Sequence, residues 1–249
     1  MKSTAPMKPG PNSKLPPLLA FGAHPDDIEF GCGGVVAREA QSGRAAHLVV
    51  CSRGEAGTHG TPKVRIAEAT KAASLLGATI EFLELDGDSH LEIRAAHALK
   101  IAAVIRRIRP SQVLAPSLVE NQHPDHWRLG KLVRDAARLA RFGGLKELRR
   151  ARPHAIGQLF YYAVTPDAEP RDINPVLIDV SSAEILQVWT AAMCAHTSQT
   201  QARPYVELQL ARAHLHGLRA GLVHAMALFP NDPLVFDSLS ATGRSERTF

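Results

Sequence analysis

The 249 residues are 45% hydrophobic and carry 29 Lys and Arg against 24 Asp and Glu, a formal charge of +5, enough apolar chain for one large α/β domain or one domain with an elaborated end. No apolar run approaches the ~18 residues of a membrane span, and no repeat or heptad appears. Cys32, Cys51 and Cys194 are odd in number, scattered and without C-x-x-C spacing, which argues against a disulfide framework and favours a reducing, cytoplasmic setting. The positive charge collects in helical stretches such as "IRRIRP" and "KELRRARP". No aromatic-rich or recognisable nucleic-acid module accompanies it, so it reads as a solvated basic surface, compatible with a small anionic substrate rather than with nucleic acid.

The opening "MKSTAPMKPGPNSKLPP" is polar and Pro-rich and lacks the apolar stretch of a secretory signal, so residues 1–16 are expected to form a loose tail and residues 17–249 one domain. "LPPLLAFGA" reads as a strand. Pro25 then pushes His24 toward extended geometry and suits the first position of a helix. "AAHLVVCS" is a second strand, followed by a Gly-rich loop, a helix in "KVRIAEATKAASLLG" and a strand in "TIEFLEL". "LEIRAAHALKIAAVIRRIR" has helical period, "QVLAPS" is a short strand, and "DHWRLGKLVRDAARLARF" is helical. "AIGQLFYYAV" and "PVLIDVS" are late strands, and "SAEILQVWTAAMCAHTSQ" and "VELQLARAHLHGLRAGLVHAMALF" read as closing helices. The alternation predicts an α/β fold: a Rossmann-like, mostly parallel sheet with helices on both faces and a C-terminal part that completes the pocket.

The polar cluster "HPDDIEFGCGG" thus falls at a strand-to-helix junction, the carboxyl edge where open α/β sheets place their ligands. Its glycines, Gly31, Gly33 and Gly34, are spaced G-x-G-G rather than G-x-G-x-x-G, and carboxylates stand where a nucleotide phosphate would need backbone N–H groups. Close helix packing explains them better. About a hundred residues on, "NQHPDHW" also follows a strand and enters a helix, so both motifs should emerge on one edge. Either alone is as well read as a helix cap or a turn. Together they supply His24, Asp26, Asp27, His123, Asp125 and His126, and imidazole with carboxylate and no thiolate is the donor set of a hydrolytic zinc site.

"AHPDDIEFGCGG" with "HPDH" downstream resembles the PIG-L/LmbE-like family of zinc-dependent N-deacetylases, which includes the phosphatidylinositol-GlcNAc deacetylases and the bacterial enzymes of mycothiol and bacillithiol synthesis. "SRGEAGTHGTPKVRIAEATKAASLLGA", "LELDGD", "FYYAV", "LIDVS" and "HTSQ" extend the resemblance from about Leu15 to Leu239. They are most similar to the bacillithiol branch, which acts on N-acetylglucosaminyl malate. The resemblance implies that His24, Asp27 and His126 hold zinc, with iron able to use the same ligands. It also implies that Asp26 is the general base, and that His123 stabilises the oxyanion or protonates the leaving amine. Asp125 then orients a histidine from behind. For substrate it implies Glu29 and Arg53 on the pocket wall, Arg152 near a malate or phosphate group, which a guanidinium binds bidentately, and Tyr205 near the oxyanion. His196, in "HTSQ", matches a family signature whose physical role the residues alone do not give. "GLRAGLVHAMALF" departs from the bacillithiol branch, with His224 and Met226 where a tyrosine and an acid are usual.

The expected protein is therefore a homo-oligomer, trimeric or hexameric, that removes acetyl from an N-acetylglucosamine-type glycoside and releases acetate and a free amine. Two alternatives stay open: an amidase acting on another small amide such as a thiol conjugate, and a sugar-binding protein without turnover. A binding-only protein has no need of Asp26 beside the ligands.

Overall fold

The structure, a computed structural model, describes residues 15–120, 123–201 and 203–242. The loose tail expected over residues 1–16 lies outside them apart from Leu15 and Pro16. Among the described residues the chain builds β1 (Leu18–Gly22), α1 (Asp27–Gln41), β2 (Ala46–Val50), α2 (Pro62–Leu75), β3 (Thr79–Phe82), α3 (Ala95–Ile108), β4 (Gln112–Pro116) and α4 (Pro124–Arg141). There follow β5 (Gln158–Tyr162), β6 (Val176–Asp179), α5 (Ala183–Cys194), α6 (Thr197–Thr200), α7 (Tyr205–Arg219) and β7 (Ala225–Pro230). One sheet results, in the order β3-β2-β1-β4-β5-β7-β6. Its first five strands are parallel, and β7 runs antiparallel between β5 and β6.

Strand residues alternate between two apolar layers, as a sheet covered on both faces requires. Leu18 and Ala20 of β1 join Ile28, Val36, Trp189 and Met226 under α1, α5 and α7. Leu19 and Phe21 join Ile101, Ile105, Leu129 and Val133 under α3 and α4. The strand order turns at β1, which pairs with β2 on one side and β4 on the other. That switch point opens a crevice at the carboxyl ends of β1 and β4.

The glycines of α1 do pack closely. A Cβ on Gly31 would overlap the Tyr162 ring, one on Gly33 would lie 2.8 Å from Trp189 Cδ1, and one on Gly34 2.8 Å from Met226 Sδ. Both aromatic groups are also tied by their polar tips: Tyr162 Oη donates to Phe21 O (2.7 Å) and Trp189 Nε1 to Glu29 O (2.7 Å). Helix α1 is thereby set against β5, α5 and β7.

Two closing elements differ from the sequence reading. The helix through "SAEILQVWTAAMCAHTSQ" breaks at His196, which precedes the short α6. The last expected helix ends at Arg219, turns through Gly221 (φ +67°), and its final "AMALFP" is β7. A short, wholly buried apolar run has no periodicity to separate strand from helix. Arg106, within the supposed solvated run "IRRIRP", is buried and donates to the carbonyls of Ala140, Phe142, Leu148 and Ala151.

Candidate metal centre

The turn after β1 brings its own carboxylate back onto the strand end. Asp27 Oδ2 accepts from the backbone N–H groups of Ala23 (2.8 Å) and His24 (2.9 Å) and lies 3.4 Å from His24 Nδ1. Asp27 Oδ1 faces His126 Nε2 at 3.1 Å. His126 comes from the first turn of α4, past the end of β4, so the two half-sites meet across the switch point. His24, His123 and His126 each bring a ring nitrogen within 4.8 Å of the other two.

Acidic groups surround these imidazoles. His24 Nε2 lies 3.2 Å from Asp88 Oδ1 and 3.4 Å from Asp125 Oδ2, while Asp125 Oδ2 also accepts from Ser89 N at 2.7 Å. Burial alone would lower the His24 pKa, but Asp27, Asp125 and Asp88 outweigh it and hold the imidazole well above its ordinary value. Burial likewise opposes ionisation of Asp27, and His126 and His24 overcome it, keeping the carboxyl well below the usual range. A field that draws a proton onto a buried imidazole also favours a divalent cation in the proton's place. The donors fit one: His24 Nδ1, the Asp27 carboxylate and His126 Nε2 converge, and the far nitrogen of His24 is fixed by carboxylates, as in many His–metal sites.

His123 caps α4. Its Nδ1 accepts from Asp125 N (3.3 Å), which leaves the proton on Nε2. Burial, followed by the charges of His24 and His126, lowers its pKa. The group is thus a neutral imidazole presenting an N–H donor.

Asp26 has φ +135°, a conformation that costs a non-glycine residue about 1–3 kcal/mol and persists where the surroundings enforce it. Arg65, 4% exposed on α2, enforces it. Its guanidinium donates to Pro25 O (3.1 Å), Gly54 O (3.2 Å) and Asp26 Oδ2 (3.3 Å). Burial pushes the Asp26 carboxyl up to about 6 against the pull of Arg65, with Asp27 adding to the rise. The sequence reading did not assign Arg65 or Asp88. Asp88 follows β3 at the same sheet edge as His24 and His123, a signal the topology argument could have used.

The cleft over this cluster holds about 360 Å³. Phe30 and Tyr205, with ring centroids 5.6 Å apart, and the neutral Thr58, Ser89, Gln199 and Gln209 contribute to its walls. The "HTSQ" stretch closes the cleft from one side. Thr197 Oγ1 (2.7 Å), Ser198 N (2.8 Å) and Ser198 Oγ (2.6 Å) all donate to the Glu68 carboxylate on α2, and Gln199 Nε2 donates to His59 O (2.9 Å).

Of the substrate positions taken from the resemblance, Tyr205 lines the cleft and three others do not. Glu29 is 2% exposed and faces the fully buried His196 at 3.5 Å (Oε2 to Nε2), behind the wall. Arg53 is exposed and paired with Glu84. Arg152 lies in the segment that enters β5, beside Pro153, whose carbonyl accepts from Arg109, and His154, whose ring meets Pro110 O. Those contacts sit before the start of β4, at the sheet edge opposite the cleft. Arg152 falls there because its run precedes a strand rather than following one.

A mostly parallel sheet with a His/carboxylate cluster at its switch point defines an α/β fold with a site fit for a metal ion. The PIG-L family model, described as GlcNAc-PI de-N-acetylase, matches residues 19–137, a stretch holding both His-Pro-Asp motifs. The chain is 32% identical over 147 residues to a 4-oxalmesaconate hydratase of Pseudomonas putida, a match spanning 54% of this chain and 57% of that protein. It is 29% identical over 206 residues to a diacetylchitobiose deacetylase of Thermococcus kodakarensis, across 76% and 72% of the two chains. The crystal structure of the conserved protein TT1542 from Thermus thermophilus superimposes with a TM-score of 0.78 at 30% identity, over 89% of this chain and 97% of that one. No helix among the described residues is long and apolar enough to cross a membrane.

Proposed function

We propose that the protein is a zinc-dependent N-deacetylase that hydrolyses the acetamide of an N-acetylglucosamine-type saccharide, releasing acetate and a free amine. The observation that carries the reading is the meeting of the two half-sites: His24, Asp27 and His126 converge under an Asp26 held by Arg65, with the His123 N–H beside them. A bound zinc would supply a Lewis acid for the amide carbonyl and lower the pKa of water to ~7. Asp26, with a carboxyl near 6, is poised to take the proton of the attacking water near neutral pH and pass it to the departing nitrogen. The His123 Nε2 proton points to the donor role for the oxygen that gains charge. Arg65 keeps Asp26 in place.

The walls favour an uncharged saccharide over the malate glycoside to which the sequence resemblance points. Tyr205 and Phe30 offer aromatic surface and the glutamines offer amides, while Arg65, the one guanidinium among the described residues lining the cleft, is committed to Asp26 and two carbonyls. A second reading, addition of water to a C=C bond, draws on the hydratase relative. The test is amine release from N-acetylglucosamine, diacetylchitobiose and N-acetylglucosaminyl malate, beside ultraviolet loss of an unsaturated carboxylic acid. Amine release with the neutral sugars foremost supports the deacetylase. Loss of the unsaturated acid without amine release would replace it with the hydratase.

A further inference from the structure

The sheet edge opposite the cleft holds a second concavity, of about 310 Å³. Arg134, Arg138 and Arg141 line it from α4, spaced i, i+4, i+7 on one face. Gln158 at the start of β5 and Asn231 after β7 lie across from them. No carboxylate among the described residues pairs with these three guanidiniums. Asp135 is taken by Lys131 (2.7 Å), and Asp232, the one acid on the wall, accepts from Asn231 Nδ2 (2.8 Å). Arg134 Nε is buried without a hydrogen-bond partner.

Arg106, in the same neighbourhood, shows what a structural arginine looks like here, with every donor bond ending on a carbonyl of the fold. Among the described residues the three pocket arginines donate to no carbonyl of the fold; Arg141 lies over the Phe142 ring, Cζ 5.9 Å from its centroid. They repel one another along the helix, a cost that a shared anion would reverse. We propose that this pocket is a binding site for a small phosphate-bearing anion, separate from the metal centre. Guanidiniums on successive turns of one helix face can fork onto one phosphate group, and the volume suits a phosphate with a small organic part. A single carboxylate group has fewer acceptor oxygens to share among three forks than a phosphate group has.

The test is titration of the full chain with inorganic pyrophosphate by calorimetry and by thermal shift, with and without a chelator so that binding at the metal centre is separated. The expected result is one equivalent bound in both conditions. The triple variant R134Q/R138Q/R141Q should lose affinity by about 30-fold or more, and R138Q, on an exposed position, by roughly tenfold. R149Q/R150Q, exposed arginines off the pocket wall, should bind within about twofold of the parent. Without ligand the triple variant should melt no lower than the parent, because the repulsion is gone. Binding that survives in R138Q and the triple variant, that vanishes with the chelator, or that falls equally in R149Q/R150Q would overturn the site. So would affinity for duplex DNA that grows with its length and exceeds that for pyrophosphate, which would make the edge a nucleic-acid surface.

Discussion

Substituting Gly31→Ala tests how the fold aims the metal site. A methyl at this position overlaps Cδ2 and Cε2 of Tyr162, a fully buried ring whose hydroxyl donates to Phe21 O, three residues before His24. Overpacking of this kind costs about 1–3 kcal/mol, and leaving the Phe21 carbonyl and Tyr162 hydroxyl unpaired costs about 1–3 more if the ring is driven away. Alanine returns at most about 1 kcal/mol of helix propensity. The balance is a loss of about 1–5 kcal/mol, or roughly 3–15 °C in Tm for a chain of this size. Urea unfolding of the parent, Gly31→Ala, Tyr162→Leu and the double variant measures it as a cycle. In the Tyr162→Leu background the ring is absent, so the alanine should be neutral or stabilising. A Gly31→Ala protein as stable as the parent, or an equal loss in both backgrounds, would refute the packing account.

Asp26→Asn should keep the bound metal while lowering turnover by about 10²–10⁴-fold; activity within tenfold of the parent would remove Asp26 from the base role. Asp26→Gly, equally inactive, should be more stable than Asp26→Ala because glycine accepts φ +135° without strain, as denaturant midpoints would show. Arg65→Met leaves Asp26 buried without its counter-charge, so stability should fall by about 3–5 kcal/mol. The Asp26 carboxyl should rise further, and the acid limb of the pH–rate profile move upward. In the parent that limb in kcat/KM should lie at or below about 6, since the base works only as carboxylate and a bound cation lowers its pKa further; a limb above 7 would contradict the assignment.

The parallel core of the fold and both half-sites were legible because each strand ends in a loop whose polar residues are local in sequence: HPDD after β1, HPDH after β4. Arg65 and Asp88 escaped because they reach the centre through tertiary contact, from α2 and from the loop after β3. The same distance explains "HTSQ", whose hydroxyls and amide clamp Glu68 and His59 more than 120 residues earlier in the chain. β7 was hidden by its double-sided burial, and Arg152 was misplaced because a basic run carries no mark of which sheet edge it adjoins. Met226, a departure noted in the sequence, packs against Gly34 in the core rather than on the cleft wall.

In the proposed function one metal ion held by His24, Asp27 and His126 supports amide hydrolysis. Zinc titration into chelator-stripped protein, with acetate and primary amine measured from diacetylchitobiose, tests it most directly. Equal yields of the two products are expected, rising to a plateau at one zinc per chain and absent in His126→Ala. Full activity in the stripped protein, or a plateau at one zinc without acetate from any N-acetylated sugar, would contradict it.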